Sequence, residues 1–127
     1  MEIGWHKVQQ IPNEASREWM EGLPQTFPVF HWHGETFSIP RGATSILRSR
    51  YCENQGFVLG NTLALQCHVE MTVELIEDWA RAAEDELRAS ANVQSAAEMQ
   101  VGIHDKVNAL HRVADALYAR WLHPLLA

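Results

Sequence analysis

An α/β fold is indicated by the stretch Leu63-Ala64-Leu65-Gln66-Cys67-His68-Val69-Glu70-Met71-Thr72. Apolar side chains alternate with others through this stretch, which predicts a strand over Thr62 to His68. From Thr72 onward the spacing changes to three- and four-residue steps, which predicts a helix with one apolar stripe. The members of that stripe are Leu75, Ile76, Trp79, Ala80, Ala83 and Leu87.

More strands are predicted before this stretch, and more helix after it. The candidate strands are Trp5 to Gln9, Phe27 to Ile39, Thr44 to Arg48 and Gly56 to Leu59, and a short helix capped by Asn13 reaches Met20. Ser95-Ala96-Ala97-Glu98 matches the capping box and opens a second long helix that extends to Pro124. We expect Gly102 to break that helix, because an uninterrupted one would be about 40 Å long.

Composition limits the classes of function. The chain has 127 residues, 46% of them hydrophobic, which suits one domain with a real core. Its net charge is −6 and its ten Lys and Arg residues are scattered, so no nucleic-acid-binding stripe is visible. We find no signal peptide and no run of about 20 apolar residues, so we expect a cytoplasmic protein that does not enter a membrane.

His68 and Glu70 are the first candidate site. Alternation places Gln66, His68 and Glu70 on one face of the strand and Cys67 on the other. A carboxylate two residues from a histidine can accept one ring N–H, which leaves the other ring nitrogen as a base. From spacing alone, a pair that only stabilises a strand end is the commoner interpretation.

A second polar cluster lies in Phe30-His31-Trp32-His33-Gly34-Glu35. In extended form His31, His33 and Glu35 share a face, and with His68 or Glu70 they form a set of metal ligands. A strand with one polar face is the commoner interpretation of this pattern. We therefore expect no metal and no cofactor.

The two cysteines are poor candidates for a nucleophile. Cys67 neighbours His68 but points to the opposite face, where a cysteine is usually a small core residue. Cys52 lies in a predicted turn, and nothing near it in the sequence would lower its pKa.

Three motifs in order resemble class I glutamine amidotransferases, and most closely their stand-alone, GMP-synthase-like branch. They are Phe27 to Phe37, Asn54-Gln55-Gly56-Phe57, and Leu65 to Thr72. The resemblance covers about Glu2 to Arg81. It implies that the chain is the C-terminal portion of an α/β/α sandwich, with a mixed sheet and C-terminal helices. Residues 1–90 would belong to the amidotransferase domain, and residues 91–127 would be a helical extension that packs on it or on a partner.

The resemblance also implies a mechanism and its residues. The family uses a Cys-His-Glu triad to release ammonia from glutamine through a glutamyl thioester. His68 would be the general base and acid and Glu70 its orienting partner, with Val69 replacing the proline usual between them. Trp32, His33 and Gly34 match the segment that lines the glutamine pocket. No Gly-x-Cys-x-Gly nucleophile turn occurs in the chain, so we expect a truncated domain with little activity alone.

Partners follow from the same reasoning. Glutamine would be the substrate of the intact protein, and a synthetase that uses the ammonia is a possible partner. A hypothesis from another class is a non-catalytic interaction module. An unpaired strand edge and the C-terminal stripe with Trp121 and Leu122 would then support a homo-oligomer.

Overall fold

The computed structural model describes residues 1–88 and 90–126. In chain order its strands are β1 (Glu2–Gln10), β2 (Thr26–His33), β3 (Thr44–Ser49), β4 (Gly56–Leu59) and β5 (Thr62–Leu65). Its α-helices are α1 (Glu14–Trp19), α2 (Val73–Ala82), α3 (Ala96–Gln100) and α4 (Ile103–Leu126), and a 3₁₀ turn covers Glu84–Glu86. The predicted α/β fold is confirmed.

The strands form a curled sheet. Over residues 1–88 and 90–126 its order is β2-β1-β3-β4-β5, and each neighbouring pair is antiparallel, so this sheet is antiparallel and not mixed as expected. The backbone N–H of His68 donates to the carbonyl oxygen of Phe30 at 2.8 Å. The chain that leaves β5 at one edge of the sheet therefore returns to β2 at the other edge. This curl brings His68 beside the end of β2.

The predicted helix starts are confirmed by their caps. The side-chain oxygens of Asn13, Thr72 and Ser95 each accept a backbone N–H three residues later, which satisfies a donor that the first helical turn leaves free. The predicted break at Gly102 is also confirmed, since this residue lies between α3 and α4 with a φ of 63°. A left-handed conformation there costs glycine little.

Two predicted strands end earlier than their sequence patterns indicate. β2 ends at His33 instead of reaching Ile39, because its partner β1 begins at Glu2, the residue opposite His33. β5 ends at Leu65 instead of His68, because the next residues leave the edge of the sheet and cross toward β2. The alternation of burial nonetheless continues, with Cys67 and Val69 buried and Glu70 exposed.

The C-terminal helices share the hydrophobic core of the sheet. The indole N–H of Trp5 in β1 donates to the carbonyl oxygen of Met99 in α3 at 3.2 Å. The His111 ring of α4 lies 2.8 Å from the carbonyl oxygen of Met71, directly before α2. Leu110 and Leu117 of α4 are fully buried. None of the helices in the described part of the chain is long and apolar enough to cross a membrane.

Candidate active site

His68 and Glu70 lie in the irregular segment between β5 and α2 and are hydrogen-bonded to each other. The distance from His68 Nδ1 to Glu70 Oε1 is 2.7 Å, and Glu70 Oε2 accepts the backbone N–H of Val69 at 3.0 Å. Because Nδ1 donates to the carboxylate, the lone pair of the neutral ring is on Nε2. The side chains of His68 and Glu70 are 26% and 50% exposed, and both residues line an open cavity.

Trp79 contacts the His68 ring from the side, and Trp32 in turn contacts Trp79. The ring of Trp79 in α2 meets the His68 ring edge to face, with centroids 5.2 Å apart, and Trp32 meets Trp79 the same way at 5.9 Å. The Trp32 indole N–H donates to Glu86 Oε2 at 2.8 Å. Such aromatic contacts favour one ring orientation. Sequence reasoning assigned Trp79 only to an apolar stripe, and no local pattern indicates this contact.

A cavity of about 500 Å³ opens beside the pair. Its walls come from the β4–β5 turn, from β5 and from Tyr118 and Trp121 of α4. Sequence reasoning did not identify this contribution of α4, since Tyr118 and Glu70 are far apart in the chain. The apolar walls and the single histidine–carboxylate pair suit a site that binds a small molecule.

The predicted pocket segment is divided between two places. Trp32 lies on the His68 side, through its contact with Trp79. His33 and Gly34 line a different cavity of about 340 Å³, together with Glu35 and Cys52. Successive strand residues point to opposite faces, so the two rings of Trp32 and His33 separate.

In the described part of the chain, neither cysteine thiol is hydrogen-bonded to His68. Burial raises the pKa of the Cys67 thiol from 9.0 to about 12, so the thiol stays protonated at neutral pH. Cys67 belongs to the hydrophobic core, as its alternation predicted. Cys52 lines the cavity around His33, and its Sγ lies 3.2 Å from the Thr36 hydroxyl.

The predicted histidine cluster forms with a different carboxylate. His31 and His33 meet Glu2 instead of Glu35, and one ligand atom of each of these three lies within 4.8 Å of the others. Glu35 is excluded because β2 has ended at His33, where the Glu35 backbone carbonyl turns back to the ring Nδ1 at 2.9 Å. Sequence reasoning could not find Glu2, because only the β1–β2 register sets it opposite His33.

The charges in this cluster follow from its burial and its hydrogen bonds. Burial by itself raises the pKa of the Glu2 carboxyl, but its contact with the His33 ring and the hydrogen bond from the Ser49 hydroxyl outweigh burial and lower that pKa to about 2. Burial lowers the pKa of His31 to about 4, although the neighbouring Glu2 carboxylate opposes the shift. At neutral pH Glu2 is therefore an anion and His31 is neutral.

Comparison with known proteins gives a consistent result. YfeJ of Salmonella typhimurium, described as a glutamine amidotransferase-like protein, is 33% identical over 91 residues, which are 68% of this chain and 37% of YfeJ. A glutamine amidotransferase structure from Methylobacillus flagellatus matches with a TM-score of 0.90 and 35% identity, over 96% of this chain and 52% of that chain. A glutamine amidotransferase from Thermotoga maritima matches with a TM-score of 0.79 and 31% identity, over 95% and 50% respectively.

No protein-family model matches the sequence. The chain spans 37% of the curated relative and about half of each of these two solved structures. The two structural matches extend over nearly all of this chain, through both the sheet and the C-terminal helices. The chain therefore has a glutamine amidotransferase-like fold.

Proposed function

We propose that this chain supplies the histidine–glutamate part of a class I glutamine amidotransferase site of the stand-alone, GMP-synthase-like branch. The observation that carries the proposal is the 2.7 Å hydrogen bond between His68 and Glu70 at the open cavity. His68 Nε2 would take the proton of a cysteine thiol and later donate it to the departing ammonia. Glu70 would hold the ring in the required tautomer and stabilise its positive charge.

The nucleophile in this proposal comes from a segment other than the described residues. Cys67 is protonated and buried, and Cys52 belongs to the cavity around His33. Two large apolar side chains that line the His68 cavity, Tyr118 and Trp121, are each 43% exposed. Exposed apolar side chains in such a group are typical of a surface that another segment covers. We infer that a complementary half of the domain would lie there and bring the cysteine and the oxyanion hole.

The substrate in the proposal is the side-chain amide of glutamine. Trp32, on the His68 side, would border it, and His33 and Gly34, whose side chain and Cα line the other cavity, would reach it only through their backbone. Residues 1–90 would form the C-terminal part of the amidotransferase domain, and residues 91–127 a helical extension packed on it. A synthetase partner would receive the ammonia.

The test is ammonia release from glutamine by a chimera. The matched half of the Methylobacillus flagellatus relative would be replaced by this chain, and the chain alone would be assayed in parallel. We expect activity in the chimera, little in the chain alone, and a loss of about 10²- to 10⁴-fold in the His68→Ala chimera. The control is His104→Ala, an exposed histidine of α4.

Two results would contradict the proposal. One is an active chimera in which His68→Ala has the activity of the unsubstituted protein. The other is robust turnover by the chain alone that survives replacement of Cys52 and Cys67.

A further inference from the structure

The cluster around Glu2 contains more hydrogen-bond acceptors than donors. His31 Nε2 lies 3.0 Å from the His6 carbonyl oxygen, which can only accept, so Nε2 carries the ring proton. By the same argument His33 Nδ1 carries its proton, because it lies 2.9 Å from the Glu35 carbonyl oxygen. A neutral imidazole has one N–H, so a lone pair remains on His31 Nδ1 and on His33 Nε2.

Both lone pairs face the same carboxylate oxygen. His33 Nε2 lies 2.9 Å and His31 Nδ1 3.8 Å from Glu2 Oε1. Acceptors at such distances repel one another unless a proton or a cation lies between them. A second proton on His33 would bond that ring to Glu2, but His31 Nδ1 would still lack a donor.

The unsatisfied polar atoms point to the same place. Within residues 1–88 and 90–126, the buried side-chain nitrogens and oxygens without a hydrogen-bond partner are His31 Nδ1 and Gln55 Oε1. Both residues belong to this cluster, since the Gln55 amide nitrogen donates to Glu2 Oε1 at 2.6 Å. His31 and Gln55 are completely buried. Unpaired buried polar atoms are rare in native proteins, and a bound ion is one of the groups that can satisfy them.

We propose that Glu2, His31 and His33 bind a divalent first-row transition metal ion of the Zn²⁺ type. A cation about 2.1 Å from each ligand atom would neutralise the carboxylate and use both lone pairs at once. Two imidazoles and one carboxylate are ligands that such ions accept. The inference does not depend on the proposed amidotransferase function.

The surroundings of the three ligands already have the arrangement of a supporting shell. The carbonyl oxygens of His6 and Glu35 fix the tautomers of the two rings. The Ser49 hydroxyl donates to Glu2 Oε2 at 2.7 Å and Gln55 donates to Oε1, so the carboxylate is held in place. Such outer hydrogen bonds orient metal ligands and raise their affinity.

The site is closed on one side and reachable on the other. Glu2 and His31 have no exposed surface, whereas the His33 side chain is 10% exposed and lines the cavity of about 340 Å³. A metal there would join the start of β1 to the end of β2. It would also fix the backbone of His33 and Gly34, which the proposed function assigns to the glutamine pocket.

The experiment is Zn²⁺ binding by the full chain, purified without a polyhistidine tag and stripped with a chelator. Elemental analysis after gel filtration should find one Zn²⁺ per chain. In ¹⁵N NMR spectra, Zn²⁺ should shift the ring nitrogens of His31 and His33 and leave those of His104 in α4 unchanged. Calorimetry then gives the affinity.

Variants locate the site. Glu2→Gln and His33→Ala should lower the affinity for Zn²⁺ by at least about 10-fold, whereas His68→Ala and His104→Ala should bind as the unsubstituted chain does. Circular dichroism checks that each variant is folded. If the two ligand variants unfold, the NMR titration of the unsubstituted chain decides.

Three results would overturn the proposal. They are a Zn²⁺ content near zero, binding that persists unchanged in folded Glu2→Gln and His33→Ala, and binding that leaves the His31 and His33 ring nitrogens unmoved. The last result would place any bound metal elsewhere, for example at His68 and Glu70.

Discussion

The His68–Glu70 pair and the Glu2–His33 pair are both short histidine–carboxylate contacts, at 2.7 Å and 2.9 Å, but they lie in opposite surroundings. Glu70 is half-exposed at an open cavity, whereas Glu2 is completely buried and surrounded by His31, Ser49 and Gln55. Solvent can exchange protons with the first pair and stabilise either of its charge states. The second pair must be satisfied entirely by protein groups or a bound ion.

The difference teaches that residue type does not determine the role of such a pair. At the open pair, solvent can reach both side chains, so neither charge state depends on protein groups alone. At the buried pair, the ionised Glu2 carboxylate depends on fixed hydrogen-bond donors. Removing one partner leaves the other buried without a hydrogen bond. The open pair is suited to acid–base chemistry and the buried pair to holding structure or an ion.

The largest expected effect is on stability and compares the two carboxylates directly. Glu2→Ala should lower the free energy of unfolding by about 3 to 5 kcal/mol, because it leaves buried donors of Ser49 and Gln55 unpaired. Glu70→Ala should change it by about 0 to 1 kcal/mol, since an exposed pair contributes little. Urea denaturation of the metal-free proteins measures both values. Equal losses would remove the distinction between the pairs.

The reactivity of the two cysteine thiols tests how deeply each of them is buried, Cys67 beside His68 and Cys52 at the cavity around His33. At pH 8 Cys67 should react with iodoacetamide about 10³-fold more slowly than a thiol of ordinary pKa, because burial raises its pKa from 9.0 to about 12 and reduces its thiolate fraction. Cys52, which is half-buried at the cavity around His33, serves as the internal comparison. Mass spectrometry of single-cysteine variants gives each rate.

The same thiol has a consequence for stability in alkali. Its pKa is higher in the folded chain than the ordinary value of 9.0, so the folded state keeps a proton that the unfolded state releases. The contribution of the protonated Cys67 thiol to the stability of the folded state is therefore complete below pH 9.0. It is lost as the pH rises toward 12. Fast alkylation of Cys67 at pH 8 in the native chain would contradict the burial of this thiol and its raised pKa.

A glycine next to Glu2 tests how rigidly β1 holds the buried pair. Gly4 has a φ of 104°, and a Cβ built there would lie 2.4 Å from Gln94 Oε1. Gly4→Ala should therefore cost about 2 kcal/mol or more, from backbone strain and from displacement of the Gln94 side chain.

The matched control is Gly60→Ala in the β4–β5 turn. Gly60 has a φ of 60° and nothing within 4 Å of a built Cβ, so strain alone should cost about 1 kcal/mol. Urea denaturation compares the two variants. If both cost the same, the packing of Gln94 against β1 is not a constraint on the cluster.

The smallest expected effect concerns the aromatic support of the open pair. Trp79→Phe should keep an edge-to-face contact with His68 and lower the free energy of unfolding by about 1 kcal/mol. Trp79→Leu keeps apolar bulk without the aromatic ring and should cost about 0.5 to 1.5 kcal/mol more. Thermal denaturation compares the two variants. A Leu variant as stable as the Phe variant would show that the ring contact contributes nothing.

Local patterns in the sequence were sufficient for most of the elements. Asn13, Thr72 and Ser95 each cap a helix where their spacing predicts, and Gly102 breaks the long C-terminal helix. The two-residue spacing of His68 and Glu70 was enough to predict their contact. These features depend on neighbours within four residues, so the sequence alone carries the information.

Features that depend on distant neighbours could not be predicted in this way. The carboxylate beside His33 was expected to be Glu35, but the β1–β2 register makes it Glu2, which is 31 residues away. Trp79 and Tyr118 reach the His68 side only after α2 and α4 have packed. The strand predicted to His68 ends at Leu65 because the sheet curls and the chain crosses to Phe30.

The sequence by itself determined the order of strands and helices, where the helices start, and that His68 and Glu70 share a side, but not where the strands end. These outcomes follow from backbone hydrogen bonding and side-chain periodicity over short distances. The tertiary structure alone decided which polar groups are exposed and which are sealed, because burial arises from the register of strands far apart in the chain. It thereby separated an open histidine–glutamate pair from a buried one built of the same two residue types.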